Sequence, residues 1–204
     1  MKYFCLLAAL AALNVGPAAA QTVTQAKMSR LTPQISRDET GFSQCGVHMV
    51  VLGDAPEGMD AYDFSINVYA KPFMGAVKAG KMHVTAGEMK RSSYSGKTVL
   101  PAPVKFWIAK ESEDQQLMPE EYFPADSPGY VIARAHAFMS FSTLINIIAG
   151  ERMQVAIRYK SEPLDRAFSF SATPSKEEAT ALMACVQGIY KRLENESKSA
   201  AGAE

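Results

Sequence analysis

The sequence predicts a mainly β protein: an antiparallel sandwich or open barrel, with a short helix at 142–149 and an amphipathic helix at 175–194 packed on the sheet. Three observations predict it. Two segments alternate, Tyr62-Phe64-Ile66-Val68 with polar residues between, and Met153-Val155-Ile157-Tyr159 with Gln154 and Arg158 on the other side. Period two with aromatic and β-branched content marks half-buried strands. Short apolar runs elsewhere are separated by Gly and Pro turn signals. One stripe, Leu182-Val186-Ile189-Leu193, instead recurs at helical spacing. Strands with turns between them, closed by one amphipathic helix, fit a packed β domain.

The elements follow in order. Residues 1–20 read as a secretory signal peptide: Lys2, an apolar run from Tyr3 to Val15, then Ala18-Ala19-Ala20 as a small-residue cleavage site. The run is too short for the roughly 20 residues of a transmembrane helix. Residues 21–44 are polar and carry Pro33 and Gly41. They are expected to be a mobile leader, with one weak strand near Met28–Leu31. Residues 45–195 are expected to form one β-rich domain. Cys45, Val47, Met49 and Val51 share a strand face, and residues 53–58 form a loop. Ala61–Ala70 is a strand, ended by Lys71-Pro72. Glycines at 75, 80, 87 and 96 suggest short strands and turns. Val104, Phe106 and Ile108 mark another strand, with Trp107 on its opposite side. Residues 111–129 read as a long loop with Pro119, Pro124 and Pro128, and Tyr130–His136 as a strand. Ser142 can cap the short helix and Gly150 can follow its end. Residues 161–165 turn the chain into a strand through Phe168 and Phe170. Ser175 and Glu178 form a capping box for the last helix. Residues 196–204 are polar and small, and are expected to be a disordered tail.

Charge and cysteine content bound the function. The chain has 21 basic and 21 acidic residues, and loss of Lys2 leaves 20 against 21. That balance argues against nucleic-acid binding, which needs a basic excess. Of three cysteines, Cys5 leaves with the leader, so Cys45 and Cys185 remain as an even pair in an exported protein. Such a pair predicts a disulfide between the first core strand and the last helix. Between residues 71 and 110 lie eight basic residues, Lys71, Lys78, Lys81, Lys90, Arg91, Lys97, Lys105 and Lys110, against Glu88 alone. The next nineteen residues carry six acids and no base. The basic stretch is a candidate surface for an anionic partner. The competing reading is ordinary charge on solvated strand faces.

Motifs for chemistry are sparse. No G-x-S-x-G elbow or S-x-x-K occurs. No cofactor fingerprint occurs either, and no cofactor is expected. Any Ser-His pair must use His48, His83 or His136. The acids at 111–126 could in principle supply a carboxylate pair, though a solvated acidic loop explains them more simply. His48, His83, His136 and Met139 are the candidate copper ligands, since imidazole and thioether suit that metal. No H-E-x-x-H spacing supports them, and Met is also a common core filler. Asn195-Glu196-Ser197 matches a glycosylation acceptor.

From Phe138 onward the order is a short apolar helix, Gly150, the Met153-Val155-Ile157 strand, the Phe168-Phe170 strand, and a helix carrying Cys185. This resembles the C-terminal half of small secreted proteobacterial proteins of the invasion-associated locus B type. The resemblance implies a periplasmic or surface β-rich protein without known catalysis, and carries over no functional residue. The expectation is a non-enzymatic periplasmic or secreted module that binds an envelope component or protein partner. The alternatives are a small secreted hydrolase and a copper-handling protein.

Overall fold

The computed structural model describes residues 23–55, 58–85, 98–99, 101–112, 116–162 and 165–201. The expected signal peptide therefore lies outside the described residues. Two mainly antiparallel sheets form a sandwich, and neither closes into a barrel. The larger sheet runs β2 (Met28–Asp38), β3 (Gly41–Ala55), β4 (Gly58–Tyr69), β5 (Met74–Thr85), β10 (Tyr130–Ala135) and β9 (Glu121–Pro124), with β6 (Thr98–Val99) also on β5. The smaller sheet runs β1 (Val23–Gln25), β12 (Arg166–Phe170), β11 (Met153–Arg158), β7 (Lys105–Lys110) and β8 (Gln116–Leu117). Only β1 on β12 is a parallel pair among these strands.

Alternation builds the core. Val47, Met49 and Val51 of β3 and Tyr62, Phe64, Ile66 and Val68 of β4 are buried. They meet Phe106, Ile108, Met153, Val155, Ile157, Phe168 and Phe170 from the smaller sheet. Trp107 points the other way, as its odd position in β7 requires. It packs with Ala109, Ala156 and Ala167 and donates its indole N–H to Asp165 at 3.0 Å.

The two helices, α1 (Ala137–Ile148) and α2 (Lys176–Ala201), cover the part of the larger sheet's inner face that the smaller sheet leaves open. Both halves of the capping box form: the Glu178 N–H donates to Ser175 Oγ at 3.2 Å, and the Ser175 N–H donates to Glu178 Oε2 at 2.8 Å. Leu182, Val186 and Ile189 are buried, as the stripe predicts. Cys45 and Cys185 form a disulfide with their Cα atoms 5.8 Å apart. That spacing is within the usual range. It ties α2 to the inner face of β3.

Several expectations are corrected. The segment 21–44 is not a leader. From Val23 it forms β1 and the eleven-residue β2, paired with β3 along its whole length. Its polarity reflects its place at a sheet edge, where one face is largely exposed, the other is only half-buried, and Pro33 is tolerated. The expected 53–58 loop is mostly strand: the pairing of β3 and β4 runs to Ala55 and Gly58. Gly75 and Gly80 do not turn the chain; they sit inside one long strand, β5. A Cβ at Gly80 would enter the Tyr130 ring, and one at Gly75 would strike Ser140. Glycine is there for close approach of neighbours.

The acidic 111–129 segment contains β8 and β9. Helix α1 begins at Ala137, so Ser142 is a mid-helix residue. Its buried face is Ala137, Ser140, Thr143, Leu144 and Ile147. Two of those are polar, which hides the period. Ser140 and Thr143 satisfy their hydroxyls on the carbonyls of His136 and Met139, at 3.1 and 2.8 Å. Gly150 does follow the helix, with φ +74°. Helix α2 continues through the expected tail to Ala201, so the Asn195-Glu196-Ser197 match lies within a helix.

Candidate functional site

Where α1 and α2 lie side by side they leave an apolar groove of about 610 Å³. Phe73, from the turn before β5, forms its floor. Phe138, Phe141 and Ile145 form the α1 wall, and Met183, Val186, Tyr190 and Leu193 the α2 wall. The rings are ordered against one another. Phe73 meets Phe138 edge-on at 5.3 Å and Phe141 at 5.8 Å. Phe138 and Tyr190 are each 64% exposed, although their neighbours are core residues. Exposed aromatics gathered in one concave, apolar place mark an interaction site far better than single exposed residues do.

A second constellation lies on the outer face of the larger sheet. His48 Nε2 and Asp63 Oδ1 are 2.7 Å apart, and the Tyr130 hydroxyl donates to Asp63 Oδ2 at 3.2 Å. Ser65 is the cross-strand partner of His48, and Lys78 stands over the Tyr130 ring at 4.7 Å. The hydrogen bond to Asp63 raises the His48 pKa above 6.5, while burial and the charges of Lys78 and Arg30 oppose it. A raised folded pKa means that the pair adds stability that is complete below 6.5 and fades as pH rises through the folded value. An NMR titration of the His48 ring should show this elevation. In Asp63→Asn the value should fall below 6.5, because burial and the two cations then act alone. A titration unmoved by Asp63→Asn would sink the pairing.

No family model, curated protein or solved structure matches this chain. The site must therefore be weighed on its own geometry.

The basic residues do not assemble into one surface among the described residues. Lys81 is on the inner face, 3% exposed, and 3.1 Å from Asp60. Its parity in β5 matches Val77 and Ala79, which point into the core. Lys78 is outside, on the opposite face. Lys71 reaches Glu196 on α2 at 3.4 Å. Lys105 and Lys110 lie at the two ends of β7 in the other sheet, and Lys110 meets Glu151 at 3.6 Å. Lys90, Arg91 and Lys97 lie outside the described residues, as do Glu88, Glu113 and Asp114.

The copper candidates are also held apart by their elements. His48 is engaged by Asp63. His136 precedes α1 with its ring 5.8 Å from Phe138. Met139 packs against the main core. The His83 side chain lies outside the described residues. Among the described residues no group of three or more His, Cys, Asp or Glu is placed to hold a metal ion.

Sequence reasoning missed the groove, yet a signal was present. Met183 and Tyr190 extend the apolar stripe of α2 beyond the width that one buried face needs. Phe138, Phe141 and Ile145 add a second apolar row on α1 at helical spacing. Two overwide helices in contact leave shoulders that nothing among the described residues covers.

Proposed function

We propose that this protein is a non-enzymatic module of the cell envelope, periplasmic or secreted, that binds an envelope component through the groove between α1 and α2. The observation that carries the reading is the cluster of exposed aromatics, Phe138 and Tyr190, over an apolar floor. Rigid aromatic side chains beside a concave apolar surface are the usual carriers of binding energy. The buried disulfide is compatible with an oxidising compartment. Among the described residues no helix is long and apolar enough to cross a membrane. The likeness of the Phe138-to-Cys185 pattern to invasion-associated locus B proteins points the same way. The electrostatic version of this function is weaker, because Lys81 is buried and the other described cations are dispersed.

The double variant Phe138→Ser/Tyr190→Ser tests the reading. Both rings are largely exposed, so the fold should tolerate it. Capture of envelope components by the variant should fall at least about tenfold, in line with the loss of two aromatic anchors. Undiminished capture by a variant with an unchanged melting temperature would remove the groove as the site.

The His48–Asp63 pair favours a second reading, a hydrolase. A histidine oriented by a carboxylate beside a serine is the start of a nucleophilic site. Against it, the pair lies on the face of a sheet whose backbone N–H groups are committed to strand pairing. Amides engaged in that pairing are not available to stabilise an oxyanion. Hydrolysis of any ester or amide substrate that His48→Asn abolishes would establish this second reading.

A further inference from the structure

We propose that the polar pocket on the outer face of the larger sheet binds one phosphate group, inorganic or on a monoester, seated over Ser65 between His48 and Lys78. The site is separate from the groove, and neither reading depends on the other.

Strand register carries the first part. His48 of β3, Ser65 of β4 and Lys78 of β5 are direct cross-strand partners, so their side chains stand in one row on one face. Neighbouring strands lie about 4.8 Å apart, which sets the His48 and Lys78 stems roughly 10 Å apart with the serine midway. Ser65 is only 7% exposed, flanked by those two longer side chains. Its hydroxyl has no hydrogen-bond partner among the described residues, although a hydroxyl so nearly buried normally has one. Asp63 engages His48 through Nε2, and Nδ1 has no acceptor among the described residues. Lys78 forms no ion pair among them either; the Tyr130 ring holds its ammonium at 4.7 Å. Ser127, between β9 and β10, brings a second unpartnered hydroxyl to the same pocket. One pocket thus gathers an imidazole, an ammonium and two hydroxyls, each with a proton to donate.

Charge and proton count carry the second part. Asp63 on β4, Lys78 on β5 and Arg30 on β2 act on His48, one carboxylate against two cations. Once His48 is protonated the pocket is short of negative charge, and an anion over Ser65 relieves the repulsion between His48 and Lys78. Donors arriving from β3, β4, β5 and the β9–β10 connection suit a tetrahedral oxyanion, whose oxygens point in several directions. A planar carboxylate offers two oxygens in one plane. Asp63 then chooses among tetrahedral anions. Its oxygens accept from His48 and Tyr130 and keep further lone pairs, and the residue lines the pocket. Those lone pairs repel the bare oxygens of sulfate and accept a hydrogen bond from the P–OH of a monoprotonated phosphate. The second pKa of a phosphate monoester is about 6, so P–OH and imidazolium coexist in mildly acidic solution.

NMR titration of the His48 ring with inorganic phosphate, glycerol 3-phosphate and sulfate, at constant ionic strength and about pH 6, tests this. Saturable one-to-one binding of phosphate is expected. Saturation should raise the His48 pKa further, so affinity falls as pH rises through that value. Sulfate should bind at least about tenfold more weakly, because it has no proton for Asp63. Ser65→Ala should weaken phosphate about fivefold, as for loss of one hydrogen bond. Lys78→Gln should weaken it about three- to fivefold, as for loss of one ion pair. Neither side chain has a hydrogen-bond partner among the described residues, so both variants should keep the wild-type melting temperature. Tighter binding of glycerol 3-phosphate than of inorganic phosphate assigns the site to a phosphorylated envelope component, and the reverse order assigns it to free phosphate. Equal binding of sulfate would overturn the choice of phosphate. A His48 resonance that phosphate does not shift saturably, or binding that ignores both Ser65→Ala and Lys78→Gln, would overturn the proposal.

Discussion

Replacing Cys45 and Cys185 together by alanine is expected to lower stability by about 3–5 kcal/mol. The bond closes a loop of 140 residues. Loss of that constraint on the unfolded chain alone is worth roughly 5 kcal/mol in the chain-entropy model, before native-state effects subtract from it. The truncation also removes two sulfurs from a small buried cluster with Ala70, Val186 and Ile189. Urea unfolding of the oxidised protein against the double variant measures the difference. Wild-type protein unfolded under reductant should approach the variant's midpoint. Midpoints that coincide with and without the bond would show that α2 is held by packing alone. Because α2 forms one wall of the groove, reduction should also weaken binding there, even where the sheets remain folded.

How much of this was legible depends on the face in question. The inner faces of β3, β4 and β11 follow from alternation, because one-sided burial writes a period of two into the sequence. The capping box at Ser175 and Glu178 is local chemistry and could be read directly. The disulfide followed from the expected export and the even cysteine count that it leaves. Edge strand β2 could not be read this way. Its backbone pairs with β3, but one face is largely exposed and the other, with Ser29, Leu31 and Pro33, is only half-buried, so little hydrophobic period is imposed. Helix α1 was misplaced at its start because its buried face uses Ser140 and Thr143, which satisfy their hydroxyls within the helix. The groove was hidden for a different reason. Met183 and Tyr190 fit the α2 stripe, and sequence alone does not say that they lie on its uncovered shoulder.

Lys81 shows the cost of reading charge without parity. Asp60 and Lys81 belong to the inward registers of β4 and β5, and their side chains are only 5% and 4% exposed. Lys81 Nζ also lies 5.0 Å from the centre of the Tyr159 ring and 5.6 Å from that of Tyr62, so two aromatic faces share its charge. Arg166 approaches the same Asp60 oxygen at 3.5 Å and meets Glu162 at 2.8 Å. Burial pushes the Tyr62 and Tyr159 hydroxyls to higher pKa, so both remain neutral phenols beside the pair. A buried pair of this kind adds little relative to a well-packed apolar replacement, yet breaking it strands a charge. Lys81→Met is therefore expected to cost about 3 kcal/mol, with Arg166 limiting the loss. Adding Asp60→Leu should recover most of that, because no unpaired carboxylate remains. A double-mutant cycle from urea midpoints gives the coupling directly. A loss from Lys81→Met within the roughly 0.5 kcal/mol typical of surface sites would contradict the burial. The same cycle separates stability from binding. A charge reversal at Lys81 should abolish capture only by unfolding the protein, whereas Lys81→Met/Asp60→Leu should capture envelope components as the wild type does. If the folded double variant fails to capture them, Lys81 acts on the partner, and the basic stretch regains its claim to the interface.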